Sequence, residues 1–422
     1  MKSLLAGGGA RPVLLGASVL AMAATLASCG GGGGGRMEFP VSLALSVESS
    51  APEWVSGGDA LLKLTSPPGL EPTVLVNGQP VAATVMQDPN DNRTQYLLVS
   101  GLATGSNTIT VQETTRSGNP VPPLQGSIQV TNYPRTGPMF SGPHETPYIC
   151  QTAAFRLYPN GPFLGAATDA NCSAATRVDY VYRPTTGTAF VALPSTTAVP
   201  ANAATTTTTD GRTVPFIVRI ETGTVNRAIY QTAVLHNPAA EATPNPVVHP
   251  SGWNGKLVYT FGGGCTGGWY RQGTNTGGVL DENILKQGYA MASSSLNVYG
   301  NNCQDVTPAE SMAMVKERFI EAYGRPRYTI GWGCSGGSYQ QYQIADNYPG
   351  LLDGILPGCS FPEVMFATVY SITDMRLLGN YFRNQAPGTF TNEQQRLVAG
   401  VQQWESIYTG TNYNGAMRIA PL

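Results

Sequence analysis

The sequence predicts an α/β fold, a parallel sheet with helices on its faces, preceded by a separate all-β sandwich. Three observations carry this expectation. After Pro250, β-branched and aromatic runs alternate with helical segments, the pattern of a parallel sheet covered on both sides. Before Asn132, five or more short alternating runs fall within fewer than 100 residues. The composition is turn-rich, with 50 glycines and 32 prolines, and only 12% of the 422 residues are charged, about half the usual share. A net charge of −2 and a pI near 6.0 argue against a nucleic-acid partner, which would want a basic face.

Residues 1–29 read as an export signal. Lys2 and Arg11 are followed by an apolar run from Val13 to Leu26, ending at Leu26-Ala27-Ser28-Cys29. This ending resembles a lipobox, in which Cys29 carries lipid and becomes the mature N-terminus. Residues 30–38, opening with Gly30 to Gly35, would be the tether. Gly30 after the cysteine, by likeness to other lipoproteins, implies the outer membrane, facing the periplasm or the surface. Contact with the membrane would be through this anchor alone, since no later stretch reaches the ~18 apolar residues of a span.

Residues 39–132 read as an immunoglobulin-like sandwich. Its strands are expected at Val41–Val47, Ala60–Thr65, Thr73–Val76, Gln95–Ser100 and Asn107–Gln112, with Asn77-Gly78 as a two-residue hairpin turn. Residues 133–250 read as an irregular β-rich segment packing on the C-terminal α/β portion. Here Arg177–Arg183 alternates, Thr205–Thr209 reads as a polar loop, and Thr213–Ile220 and Val225–Val234 form a hairpin around Gly223.

In residues 251–422, strands are expected at Lys256–Phe261, Tyr289–Ser294, Arg327–Gly331 and Gly354–Leu356. Helices are expected at Asp281–Gln287, at Pro308–Tyr323 with Thr307 as cap, and at Ser338–Tyr348, Phe366–Tyr381 and Asn392–Tyr408.

The chemistry concentrates at Gly333-Cys334-Ser335-Gly336-Gly337, a G-x-S-x-G element between a predicted strand and a predicted helix. In such a nucleophile elbow, glycines two residues either side of the serine leave room for a tight turn that lifts the hydroxyl above the sheet. Upstream, Phe261-Gly262-Gly263-Gly264-Cys265-Thr266-Gly267-Gly268-Trp269 follows another strand. A tetrahedral oxyanion needs two or more N–H donors, and glycines let backbone approach closely enough to supply them. Gly336 N–H is one candidate donor; Gly264 or Cys265 is the other. Neither a nucleotide nor a metal cofactor is implied, and no cysteine pair has metal-finger spacing.

These motifs place the segment among α/β-hydrolases by resemblance. Trp253-Asn254-Gly255-Lys256-Leu257, the glycine loop, Gln287 to Ser293, and the stretch from Tyr323-Gly324 to Ile355 are similar to the tannase and feruloyl esterase family. They resemble still more closely an uncharacterised family of secreted bacterial hydrolase-like proteins carrying this elbow behind a β-sandwich. The likeness covers about residues 250–360. It implies a serine esterase, forming an acyl-enzyme at Ser335, acting on a small-molecule or polymeric extracellular ester, phenolic or otherwise. Ser338 and Tyr339 replace that family's usual polar-basic pair, so the substrate class does not transfer.

Beyond Cys29, six cysteines remain, an even number suited to disulfides. Cys150–Cys172 and Cys265–Cys303 are the natural local pairs. The family resemblance would pair Cys334 with a cysteine beside the catalytic histidine; the alternative is Cys359, at the end of a neighbouring strand. The histidine itself raises a difficulty. His144, His236 and His249 all precede Ser335, whereas the fold's order is Ser, Asp/Glu, His. A chain ending before the remaining triad residues, a non-catalytic envelope lipoprotein on a pseudo-hydrolase scaffold, or a histidine recruited from upstream would each account for this. The first makes the 422-residue chain weak or inactive.

Overall fold

The computed structural model describes residues 43–116, 119–265, 271–361 and 373–408. Cys29, the glycine tether, and the expected helical residues 366–372 lie outside them, as do residues 41 and 42 of the first expected strand.

The first module contains β1 (Ala44–Val47), β2 (Val55–Ser56), β3 (Asp59–Thr65), β4 (Thr73–Val76), β5 (Gln79–Val81), β6 (Ala83–Gln87), β7 (Thr94–Ser100), β8 (Gly105–Arg116) and β9 (Asn119–Tyr133). They form two sheets, ordered β1-β3-β7-β6 and β2-β9-β8-β4-β5. Side chains alternate across a strand, so Leu62, Leu64, Leu97 and Val99 from one sheet meet Val74, Val76, Ile109 and Val111 from the other in one core. The β4–β5 turn is Asn77-Gly78, both with positive φ (52° and 79°), as a two-residue hairpin requires.

The rest of the chain is organised on one eight-stranded mixed sheet. Its strands are β10 (Arg177–Tyr182), β11 (Val191–Ala192), β14 (Ile217–Val225), β15 (Ala228–Leu235), β16 (Lys256–Phe261), β17 (Ala290–Ser294), β18 (Tyr328–Cys334) and β19 (Gly354–Gly358), in the order β11-β10-β14-β15-β17-β16-β18-β19. The last four are mutually parallel and the others antiparallel. The segment before Pro250 therefore does more than pack on the sheet: it supplies half of the strands. A separate ribbon joins β12 (Thr205–Thr207) to β13 (Thr213–Pro215), where a polar loop is expected from sequence; its β-branched threonines suit a pleated strand.

Two other boundaries differ from the sequence reading. The β14–β15 hairpin turns at Asn226-Arg227 (φ 49° and 60°), not at Gly223. Gly223 lies inside β14, where a Cβ would stand 2.8 Å from the Tyr230 ring; the missing side chain makes room for that ring. The long helix α2 (Val306–Tyr323) begins ahead of Pro308, with Asp305 at its N-cap, so Thr307 lies within it. Proline fits the first turn because its absent N–H would have no intrahelical acceptor there.

Helix α1 (Glu282–Leu285) is capped by Asp281, which accepts from the Asn283 and Ile284 N–H groups. Helix α3 (Gly336–Asn347) follows β18 directly. Beyond β19 come α4 (Met375–Asn380), a π-turn at Tyr381–Gln385, and α5 (Asn392–Ala399). The last ends at Gly400 in the left-handed region, which stops the longer helix expected there. No helix of the described residues is long and apolar enough to cross a membrane. Leu257, Tyr259, Ala290, Met312, Phe319 and Tyr323 form the core between sheet and α2.

The first module meets α2 through buried carboxyls. Glu317 Oε1 accepts from Ser50 Oγ (3.1 Å) and Ser56 N–H (3.2 Å), and Oε2 accepts from Ser56 Oγ. Glu321, one turn on, is also buried, and its Oε1 has no hydrogen-bond partner among the described residues. Burial raises both: Glu317 to about 8, and Glu321 well above the ordinary value, with Asp59 and the neighbouring glutamate adding repulsion against Arg318 and Arg135. A carboxyl raised in the folded state holds its proton where the unfolded chain has lost it, so stability falls as pH rises through that window. The melting temperature should accordingly fall between about pH 5 and pH 8.5, and Glu317→Gln should flatten that slope, both read by circular dichroism melts across pH. A melting temperature that rises over this range, or the same slope in the variant, would contradict the assignment.

Candidate active site

Ser335 sits between the last residue of β18 and the first of α3, with φ 60° and ψ −123°. That is a conformation an L-residue holds only when its surroundings impose it, at a cost of about 1–3 kcal/mol. The serine is exposed, at the carboxyl edge of the parallel strands. Its own N–H donates to Gly358 O (3.0 Å), and its carbonyl accepts from Ser338 N–H (2.8 Å) and Ser338 Oγ (2.7 Å). Gly336 N–H opens the helix, one of the first amides that an α-helix leaves unpaired and that make its N-terminus favourable to negative charge.

The turn is shaped by contact with the end of β16. A Cβ at Gly333 would stand 2.4 Å from Phe261 O, and one at Gly337 would stand 2.5 Å from the same oxygen. The glycines two residues either side of Ser335 thus let the elbow close over a neighbouring strand end. Beside them, a Cβ on Gly263 would meet Cys334 O at 2.9 Å, Ser335 Cβ at 3.3 Å and Gly336 N at 3.5 Å. The glycine corner and the serine are in direct juxtaposition.

Peptide planarity separates the two candidate second donors. Gly263 O accepts from Gly300 N–H (2.9 Å), so the trans peptide turns Gly264 N–H away from Gly300. Gly264 O instead lies against Gly336, 2.7 Å from where its Cβ would be, so Cys265 N–H points away from Gly336. Cys265 is disulfide-bonded to Cys303. Residues 266–270 of the loop, Trp269 included, lie outside the described residues.

Side chains that sequence reasoning passed over brace this arrangement. Gln340 Nε2 donates to Gly262 O (3.0 Å), tying α3 to the glycine corner. Gln341 Nε2 donates to Gly337 O (2.9 Å) and Gly333 O (3.2 Å), while its Oε1 accepts Leu356 N–H (3.0 Å) from β19. Both glutamines are fully buried. The available signal was two adjacent amides early in a helix that otherwise had no reason to bury them. Aromatic rings stand alongside: Tyr299 packs near Gly336 and donates to Asp305 Oδ1 (2.9 Å), and Tyr339 lies 6.0 Å from Tyr299 and 6.5 Å from Phe361 between ring centroids. Burial and the adjacent Asp305 carboxylate push the Tyr299 hydroxyl pKa well up, so it stays a neutral donor.

Three disulfides form: Cys150–Cys172, Cys265–Cys303 and Cys334–Cys359. The last settles the alternatives for Cys334 in favour of Cys359 and joins the ends of β18 and β19 beside Ser335. The two loops flanking the serine are therefore each cross-linked to a neighbouring segment.

No side chain among the described residues hydrogen-bonds Ser335 Oγ. His236 binds Tyr180 Oη and Ala242 O, and His249 binds Pro246 O. Both lie toward the opposite edge of the sheet, after the end of β15 and before the start of β16. His144 shares a small polar cavity with Tyr148, Asn226 and Arg227 at the β14–β15 turn, three strands from β18, or about 14 Å at the usual strand spacing. Burial and the Arg227 charge lower its pKa.

Comparison with known proteins adds three findings. The tannase-like family of unknown function (DUF6351) matches residues 45–420. The o-phthalyl amidase of Xanthobacter agilis is 30% identical over 109 residues, covering 25% of this chain and 22% of that enzyme, so the chain matches only about a fifth of the relative's length. Among solved structures, CopC from Methylosinus trichosporium OB3b (19% identity, 23% of this chain, 98% of CopC, TM-score 0.18) and Titin-A168169 (9% identity, 45% of this chain, 95% of the titin chain, TM-score 0.16) are too distant to carry a fold argument.

Two substitutions test the elbow's physics. Gly337→Ala, which in an ordinary helix gains ~1 kcal/mol, should instead cost about 2 kcal/mol through collision with Phe261 O. Ser335→Gly should stabilise the fold by about 1 kcal/mol by releasing the left-handed serine. Urea unfolding measures both; an alanine that stabilises, or a glycine that destabilises, would show the turn to be relaxed.

Proposed function

The chain belongs to the tannase-like family of unknown function, and on that footing we propose that it is a serine-type hydrolase of carboxylic esters or amides. In this reading the eight-stranded sheet is the front portion of an α/β-hydrolase, preceded by an immunoglobulin-like sandwich, and Ser335 forms the acyl-enzyme. The observation that carries the proposal is the exposed, left-handed Ser335 at a helix N-terminus, in contact with the Gly262–Gly264 corner.

The step would run as acyl transfer. Ser335 Oγ adds to the carbonyl carbon and gives up its proton, the carbonyl oxygen becomes an oxyanion, and collapse expels the alcohol or amine. Gly336 N–H would meet the oxyanion, and the peptide orientations favour Gly264 N–H over Cys265 N–H as its companion. The neutral hydroxyl of Tyr299 and the rings of Tyr339 and Phe361 would form one wall. An amidase among the relatives extends the reading from esters to amides. Lipid attachment at Cys29 would hold the module at the cell envelope.

The mechanism needs a base for the Ser335 proton, and none of the described histidines is placed to act as one. Oxyanion stabilisation and binding without a triad histidine leave about 10³–10⁴ over the uncatalysed rate. The purified 422-residue chain should therefore hydrolyse p-nitrophenyl acetate far below the roughly 1–10³ per second of complete enzymes, while a fluorophosphonate probe still marks Ser335 slowly. Ser335→Ala should abolish both signals. Silence toward the probe on folded protein would favour the non-catalytic envelope-protein reading; fast turnover abolished in Ser335→Ala would show that a base is supplied after all.

A further inference from the structure

A cleft of about 400 Å³ lies where the first module meets the sheet. Ser49, Ser50, Ala51 and Trp54 line one side; α2 contributes Lys316 and Ile320, and the segments leading into β18 and β19 contribute Arg325, Arg327 and Asp353. Those segments enter the sheet at the amino ends of the strands, the edge opposite Ser335. A strand of seven residues separates the two sites, about 20 Å at the usual rise. The cleft is not part of the acylation site.

We propose that this cleft binds a small organic carboxylate whose ring-shaped body lies against Trp54. The charge balance selects the ligand. Lys316, Arg325 and Arg327 bring three positive charges; Arg325 is paired with Glu48 (Nε to Oε1, 3.1 Å), and Asp353 offsets a second. One unit of positive charge remains, matching a single carboxylate and leaving a phosphate dianion in excess.

The donors are poised for such a group. Lys316 Nζ gives two N–H groups to Gly350 O and Leu351 O, each at 2.8 Å, and an ammonium has three. Arg327 is exposed, and its guanidinium has no partner among the described residues. Burial lowers the Lys316 pKa to about 8, a cost that an anion alongside would offset. Trp54 is half-buried, braced by Phe140 (5.5 Å) and Tyr348 (6.3 Å), and gives the cleft a flat apolar wall. Clefts of this size between modules, apolar with a few converging polar groups, are the usual form of small-ligand sites. Because the walls come from two modules, ligand would bind only the docked arrangement and stabilise it.

Titration calorimetry with sodium glucuronate, glucose and inorganic phosphate on the full chain tests the proposal. Glucuronate should bind saturably, glucose should give no saturable heat, and phosphate should bind more weakly than glucuronate. Arg327→Gln, at an exposed position, should weaken glucuronate about tenfold; Lys316→Met should do the same, with folding checked by circular dichroism and by the urea unfolding midpoint. If Lys316→Met does not fold, Arg327→Gln decides. No saturable glucuronate binding, equal binding of glucose, tighter binding of phosphate, or undiminished affinity in Arg327→Gln would overturn it. None of these outcomes depends on whether Ser335 is a nucleophile.

Discussion

The arrangement around Ser335 depends on one close approach: the Phe261 carbonyl at the end of β16, seated between Gly333 and Gly337. With any larger residue at either position the elbow could not close over the strand end, and β18 could not pass so abruptly into α3. The left-handed backbone of Ser335 follows from that closure, as does its exposure. The same contact brings Gly263 against Ser335 Cβ. The conformation of Ser335 and its contact with the glycine corner are thus two results of a single packing constraint.

Holding a disfavoured backbone requires over-determination, and the surroundings supply it from several directions. Gln340 and Gln341 stitch α3 to the corner and to β19, Gly358 receives the serine N–H, and the Cys334–Cys359 and Cys265–Cys303 bridges fix the two flanking loops. These bonds keep the local conformation from relaxing, at the expense of some overall stability. The Gln340 and Gln341 Nε2 groups carry this role well, because leaving a buried N–H donor unpaired is costly.

Much of this was legible in the residues. Lys256–Phe261 appears as a strand with its expected limits, since a β-branched run followed by glycines has one reading. The Asn77-Gly78 turn is equally local. The Gly223 hairpin failed because a glycine in a strand signals a turn or a neighbour needing space, and only the Tyr230 ring told them apart. The start of α2 slipped because Asp305 at its N-cap makes no side-chain cap bond, and the Thr307 N–H donates instead to Gln304 Oε1, a residue type not read as a cap. At the site, the serine and its glycines were visible from spacing. The glutamine bracing, the orientation of the peptides from Gly263 to Cys265 and the Cys334 partner were not. Those depend on contacts between segments up to 78 residues apart, about which local pattern is silent. The buried Glu317–Glu321 pair was likewise invisible, because i,i+4 acids on a helix ordinarily face water.

The order of the three bridges has a consequence for how the molecule can be made. The six cysteines after Cys29 admit 15 pairings, and this one joins each of them to the next along the chain: Cys150 to Cys172, Cys265 to Cys303 and Cys334 to Cys359, across separations of 22, 38 and 25 residues. Among these six, a polypeptide emerging amino end first presents each correct partner before the following cysteine arrives. Oxidation in order of emergence therefore yields the native set without any shuffling of mismatched thiols.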